Sequence, residues 1–354
     1  MDRLYTIALV AIARDESVRI GRLLRSAAPF VDRMHVVDTG SRDETAAVSR
    51  ACGATVSHLP WPDDFSVARN VSLQRAAADW HLVLDADEWI VEGGASIALL
   101  RGQAPQFVGA LRFDERLDNG ARAGSWMSRV FPGSLRYQGA VHEQVTHALP
   151  VRRLPVVIAH DGYMDERLQA KRGRNRRLLE RALRQRPLDA YLWYQLGKDC
   201  NVYEEHALAE QAFSRAAELV VHGPTAALMP WWADLVVRRL IGLRELQRHE
   251  QAMDLAASER GRCADMPDFF FVTGDLLLDL AARQPAHGDT LLPMIETAWR
   301  HCLTLGERPD LPETVPGRGS WLAAHNLAVV MEGTGRCGEA ATLRAAYPFP
   351  AASG

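Results

Sequence analysis

The chain has 354 residues, which at about 150 residues per domain is material for two domains with buried cores and excludes a one-core miniprotein. Apolar residues make up 47% and charged residues 24%, a globular balance that excludes a long disordered tail. Lys plus Arg is 41 against 44 for Asp plus Glu, a formal charge of -3, so neither nucleic acid nor an anionic membrane is expected as the main partner.

From Leu4 to about Leu84, short β-rich runs alternate with helical stretches, the pattern of βαβ units around a parallel sheet. Ile7 to Ala13 reads as the first strand and Glu16 to Ala28 as a helix with Leu23, Leu24 and Ala27 facing inward. Met34 to Val37 is the next strand and runs into Asp38-Thr39-Gly40-Ser41. Ser41 and Glu44 have the spacing of a capping box that opens a helix through Cys52. Thr55 to Leu59 is a third strand, followed by the Trp61-Pro62 turn and a helix from about Ser66 to Ala78. Trp80 to Leu84 then delivers Asp85-Ala86-Asp87-Glu88 to the carboxyl edge of the sheet, where open α/β sheets bind ligands.

Between Gln106 and His160 the clearest strands are Val108 to Phe113, Ser125 to Phe131 and Leu154 to Ala159, expected to be antiparallel and to close one side of the first domain. From about Arg167 the chain reads as helical, with Leu178, Leu179, Ala182 and Leu183 on one face. A boundary near Tyr163 to Arg167 divides the chain into an α/β domain, 1–165, and an all-α domain, 166–354. Trp193, Leu196, Gly197, Ala209, Phe213 and Ala216 fall at the offsets of a tetratricopeptide unit, whose period is about 34 residues. Leu327, Ala328, Met331, Ala340 and Tyr347 match a second unit in part, and Phe270 and Gly274 begin a third that Gln284 to Thr290 interrupts. An irregular helical bundle is the plainer alternative. Cys52, Cys200, Cys263, Cys302 and Cys337 have no zinc or redox spacing and read as reduced thiols of a cytoplasmic protein. No apolar run approaches the roughly 20 residues of a membrane span, so no transmembrane segment is expected.

Asp85-x-Asp87 at a strand end suits short carboxylates converging on a divalent cation that also holds a diphosphate. Asp15 and Glu16 end the first strand and Asp38 the second, so several carboxylates are expected along one sheet edge, where a base and ribose need acceptors.

Ala13-Arg14-Asp15-Glu16, Val37-Asp38-Thr39-Gly40-Ser41-Arg42-Asp43, Trp61-Pro62-Asp63-Asp64-Phe65-Ser66-Val67-Ala68-Arg69-Asn70 and Asp85-Ala86-Asp87-Glu88 together resemble inverting GT-A glycosyltransferases of family 2. They look most like the branch of bacterial lipopolysaccharide-core glucosyltransferases and peptide S-glycosyltransferases, which often carries tetratricopeptide repeats behind the catalytic domain. The resemblance implies a GT-A domain with Asp38 on the nucleobase, Asp85 on the ribose and Asp87 on Mn²⁺ or Mg²⁺. Asp15 and Glu16 join this nucleotide-sugar wall, with Arg69 and His160 as phosphate contacts. It also implies a nucleotide diphosphate sugar donor, UDP-linked, and a peptide, protein or saccharide acceptor. Inversion by single displacement needs a base beside the acceptor; Glu143 is the first choice and His142 the other. Adjacent strand residues point to opposite faces, so only one of the two is expected at the acceptor. Lys171, Arg172, Arg174, Arg176 and Arg177 form a basic run that is either a diphosphate-facing or acceptor-facing patch or a solvated helix face. The helical half is expected to bind the acceptor and is a candidate surface for a homo-oligomer. Two other readings compete: a non-catalytic nucleotide-sugar-binding scaffold, and a nucleotidyltransferase, which would carry a Gly-rich loop after the first strand where Ala13 to Ser17 has no Gly.

Overall fold

A computed structural model describes residues 4–116, 122–160, 173–221, 229–311 and 313–350. The chain divides into two compact units, Met1–Arg116 with Gly124–Ala182, and Leu183–Gly354 as the bulk of the second. The boundary expected at 165/166 lies outside the described residues.

The first unit is built on a sheet of eight strands in the order β3-β2-β1-β4-β7-β6-β10-β5. These are β1 (Ile7–Ala13), β2 (Arg33–Asp38), β3 (Thr55–His58), β4 (Trp80–Val83), β5 (Glu88–Glu92), β6 (Val108–Arg116), β7 (Arg122–Pro132) and β10 (Val151–His160). A separate hairpin pairs β8 (Tyr137–Gln138) with β9 (Gln144–Val145). Strands β1 and β4 are apolar without alternation because the central strands of the sheet are covered on both faces. Helix α1 (Ile20–Ala27) presents Ile20, Leu23, Leu24 and Ala27, all fully buried and spaced to share one face. It starts later than Glu16 because the turn before it closes first, with Arg19 N and Ile20 N donating to Glu16 O.

The expected capping box does not form. Helix α2 (Thr45–Ala51) has no side-chain cap, because Ser41 Oγ accepts from Asp15 N instead. Helix α3 (Phe65–Ala76) is capped by Asp64, whose carboxylate accepts from Val67 N. It stops at Ala77, which is left-handed at φ 47°.

Two features correct the expected strand layout. Strand β5, directly after the acidic cluster, was not anticipated; it runs antiparallel to β10. Strand β10 runs parallel to β6, where antiparallel strands were expected. Alternation in the sequence identifies strands but not their neighbours.

The second unit stacks helices in consecutive pairs: Ala190–Val202 with His206–Val221, Trp232–Glu245 with His249–Glu259, Pro267–Arg283 with Gly288–Leu305, and Trp321–Gly333 with Cys337–Ala346. Arg174–Gln185 precedes them, with Leu178, Leu179, Ala182 and Leu183 buried as expected. In the first pair a Cβ on Gly197 would lie 2.4 Å from the Phe213 ring, so only glycine admits this approach. Gly274 stands in the same relation to Trp299, and the interrupting segment forms a short 3-10 turn, Pro285–His287, that leaves the third pair intact. Among the described residues no helix is long and apolar enough to cross a membrane.

His81, on β4, is 1% exposed, and burial, reinforced by Arg136, pushes its pKa down to about 4. Its unfolded pKa is higher, so its contribution is complete above about pH 6.5 and is lost as pH falls towards 4. His35 is shifted down by burial and then Arg75, and acts in the same direction. Urea melts of the full chain should lose roughly 3 kcal/mol from His81 between pH 6.5 and 4. His81→Leu should flatten that slope; an unaltered slope would show that His81 is hydrated.

Candidate functional site

The loops after β1 and β2 are stitched into one wall. Asp15 Oδ1 accepts from Arg42 N at 2.7 Å, Glu16 N donates to Thr45 Oγ1 at 2.7 Å and Ser17 N to Asp43 Oδ2 at 3.0 Å. Asp15 adopts φ 55° to make this turn. Burial would raise the Asp43 carboxyl, but hydrogen bonds from Thr45 and Ser17 outweigh it and hold it at about 2. Asp38 is buried, and its Oδ1 accepts from Gly40 N and Ser41 N at 2.9 and 2.7 Å, closing the turn that follows β2.

The opposite wall is helix α3 with the β8–β9 hairpin. Asn70 pairs with Tyr137 through both amide atoms, Nδ2 donating to Tyr137 O at 2.9 Å and Oδ1 accepting from Tyr137 N at 2.8 Å. Phe65 N donates to Ala140 O at the hairpin tip. Residues 142 and 143 therefore sit in the connection between β8 and β9, not within a strand, and His142 takes φ 49°. Strand alternation does not separate them: both His142 and Glu143 line the cleft.

Between the walls lies an ionic network. Arg69 Nη2 donates to Asp85 Oδ1 at 2.6 Å and Arg69 Nε to Glu143 Oε1 at 2.8 Å. Arg129 Nη2 donates to Glu88 Oε1 at 2.6 Å and lies 3.4 Å from Asp85 Oδ2. Glu88 Oε2 accepts from Asp85 N, fixing the turn between β4 and β5. The Arg69 side chain is only 7% exposed. Burial disfavours its charge, yet Asp85 and Glu143 more than compensate and its pKa is raised. Three carboxylates share two guanidiniums here, and burial disfavours the anion most at the most buried of the acids. That acid is Glu88, raised to about 7 by burial first, against the pull of Arg129 and with the push of Asp85. Tyr137, whose ring lies 5.7 Å from the Arg69 guanidinium carbon, is pushed up to about 12 by burial against the opposing arginines.

A cleft of about 580 Å³ opens over this network. Of the residues expected from sequence, Glu16, Arg69, Asp85, Asp87, His142, Glu143 and His160 line it; Asp15 and Asp38 do not, and are engaged in the turn hydrogen bonds above. Trp61 and Phe65 also line it, edge to face at 4.7 Å, with Arg174 stacked 5.4 Å from Phe65. Of the basic run, Arg174 reaches the cleft, Arg176 pairs with Glu180, and Lys171 and Arg172 lie outside the described residues, as do Asp161, Gly162 and Tyr163. Sequence reasoning missed the parts of Glu88, Arg129 and Tyr137, which pair across 41 or more residues. The one local signal was Arg129 standing directly before the buried Val130 and Phe131.

Among the described residues no three His, Cys, Asp or Glu side chains converge as a metal-holding group. Asp85 and Asp87 on one cleft wall still fit a divalent ion of the kind bound by one or two carboxylates and completed by phosphate oxygens and water.

Residues 9–100 match the family described as Glycosyl transferase family 2. A TPR repeat-containing protein of Synechococcus elongatus is 37% identical over 207 residues, covering 54% of this chain and 51% of its own. The SPbeta prophage-derived glycosyltransferase SunS of Bacillus subtilis is 24% identical over 304 residues, 78% of this chain and 68% of its own. An uncharacterized glycosyltransferase of Rickettsia felis is 34% identical over 82 residues, 23% of this chain and 29% of its own. The chain spans about half the length of the Synechococcus relative. Residues 9–100, which carry strands β1 to β5, thus match a family 2 glycosyl transferase model, and a helical region follows the sheet.

Removing Arg69 strands two carboxylates. Arg69→Met should cost about 3–5 kcal/mol in chemical denaturation, the range for breaking a buried ion pair from one side, and Arg69→Lys less, because an ammonium cannot span both acids as a fork does. A loss below about 1 kcal/mol would mean that solvent screens the network.

Proposed function

We propose that the N-terminal unit transfers a sugar, with inversion, from a nucleotide diphosphate sugar, UDP-linked, to a peptide, protein or saccharide acceptor. The observation that carries this reading is the convergence, within the matched fold, of strand-end Asp85 and Asp87, Arg69 and Glu143 on one cleft. The stitched loops after β1 and β2 give the nucleoside a rigid wall, to which Asp15, Glu16 and Asp38 contribute. Asp85 faces the ribose, and Arg69 and His160 offset phosphate charge. Arg69 Nη1 and Arg129 Nε are buried without a hydrogen-bond partner among the described residues, which leaves donor capacity beside the cleft for an oxyanion.

Asp87, with Asp85, would hold Mn²⁺ or Mg²⁺, which when bound supplies charge stabilisation to the departing diphosphate. In the transfer, the acceptor oxygen or sulfur bonds to the anomeric carbon as the bond from that carbon to the diphosphate oxygen breaks. The acceptor proton passes to the base and the nucleoside diphosphate leaves with the electron pair. We assign this role to Glu143: Arg69 Nε donates to its Oε1, and its Oε2 would take the proton. His142 beside it is the other candidate. The helical half holds the acceptor, since stacked helix pairs form extended binding surfaces. A scaffold that binds donor without turnover is the second reading, favoured by the arginines that tie up Asp85 and Glu143.

Thermal shifts with UDP-, GDP- and ADP-sugars, with and without Mn²⁺, identify the donor, because a ligand of the folded state raises apparent stability. With the donor found, Asp87→Ala should lose metal-dependent binding and transfer while keeping its circular dichroism spectrum; full turnover in excess chelator would overturn the metal assignment. Glu143→Gln should cut single-turnover transfer to a hydroxyl acceptor by about 10²–10⁴-fold, and less for a thiol, with donor affinity nearly unchanged. Normal chemistry in Glu143→Gln with a lesion in His142→Ala would move the base to the histidine.

A further inference from the structure

The helical unit holds a second cavity, also about 580 Å³, between His249–Glu259, Pro267–Arg283 and Gly288–Leu305. The space opens to solvent past the exposed Ala257, Met294 and Thr297, and its volume falls within the roughly 300–1,000 Å³ of small-molecule sites. Its floor is apolar and buried, with Phe269, Phe270 and Leu277 from one helix and Ala298 from the next. On the third helix Ala256 and Ala257 stop short of filling the space.

The polar groups around it are of one kind. Thr273, Thr297 and Thr304 each donate their hydroxyl proton to a carbonyl of their own helix, four residues back, at 2.7, 2.7 and 3.0 Å. The three hydroxyls therefore spend their protons within their own helices. What remains at the rim is cationic. Among the described residues Arg300 makes one hydrogen bond, 3.3 Å to Glu296. Arg260 lies 5.9 Å from the Phe270 ring and has no ion pair or hydrogen bond among the described residues. His301 packs edge to face on the same ring at 4.2 Å. A guanidinium has five N–H donors and no acceptor, so a neutral or cationic head group gains little here, whereas a carboxylate gains charge-assisted hydrogen bonds.

We propose that this cavity binds an amphipathic carboxylate of small-molecule size, its apolar body over Phe269, Phe270 and Leu277 and its head on Arg260 and Arg300. The site belongs to a different compact unit from the nucleotide-sugar cleft and does not depend on the transfer reading. It gives the helical half a ligand of its own.

The test is calorimetric titration of the full chain with decanoate, using decanol and decyltrimethylammonium as head-group controls. Decanoate should bind at one site per chain, decanol more weakly, and the ammonium not at all. Arg260→Gln combined with Arg300→Gln should weaken decanoate by about tenfold or more, the loss of charge-assisted bonds. Ala257→Trp should fill the cavity and abolish binding. Position 257 is exposed, so the fold should tolerate it, and Thr297→Trp, also at an exposed position, gives a second block if the first variant misfolds. No decanoate binding by the wild type, equal binding of all three head groups, or binding retained in both well-folded tryptophan variants would overturn the proposal.

Discussion

The guanidinium of Arg69 is the constraint on which the first unit's cleft depends. It reaches Asp85 from one nitrogen and Glu143 from another, and so ties the end of β4 to the hairpin that follows β7. A lysine has the charge but not the two-directional reach, because its donors radiate from one atom. Burial raises the Glu88 carboxyl to about 7 against the pull of Arg129, and the same side chain accepts from Asp85 N in the turn it belongs to.

Much of the first unit was legible because its signals are local. Strand β1 was read to the residue, and β2, β3 and β4 to within one, from short apolar runs broken by turn residues. Strand β5 was not, because Glu88-Trp89-Ile90-Val91-Glu92 is held as a strand by pairing with β10, far along the chain. The capping box failed for a related reason. Ser41 had the right spacing, but its hydroxyl is spent on the neighbouring loop, and a spacing rule cannot see across 26 residues.

The cleft divides in the same way. Asp85, Asp87 and Glu16 could be placed because a strand end fixes which edge of the sheet a residue occupies. The environment of Glu143 could not, since strand alternation was applied to a stretch that turns. In the helical unit the Gly197 and Phe213 contact was legible from a motif confined to one helix pair, and the same geometry recurs with tryptophan at Trp299. Trp232–Glu245 with His249–Glu259 carries no such signal: a Cβ on Gly242 would meet nothing within 4 Å, and the glycine-to-ring contact of the first and third pairs is missing there.

Asn70 holds the hairpin in a way that bears on how this architecture diversifies. Its amide grips the backbone N–H and C=O of Tyr137, and Phe65 N grips the backbone of Ala140. The anchor reads main-chain atoms, which every residue type but proline supplies in full. Between the anchors, the exposed Gln138 can therefore be exchanged without loosening the base, whereas Gly139, at φ 98°, cannot. Variation at that one site need not be accompanied by compensating changes in the sheet.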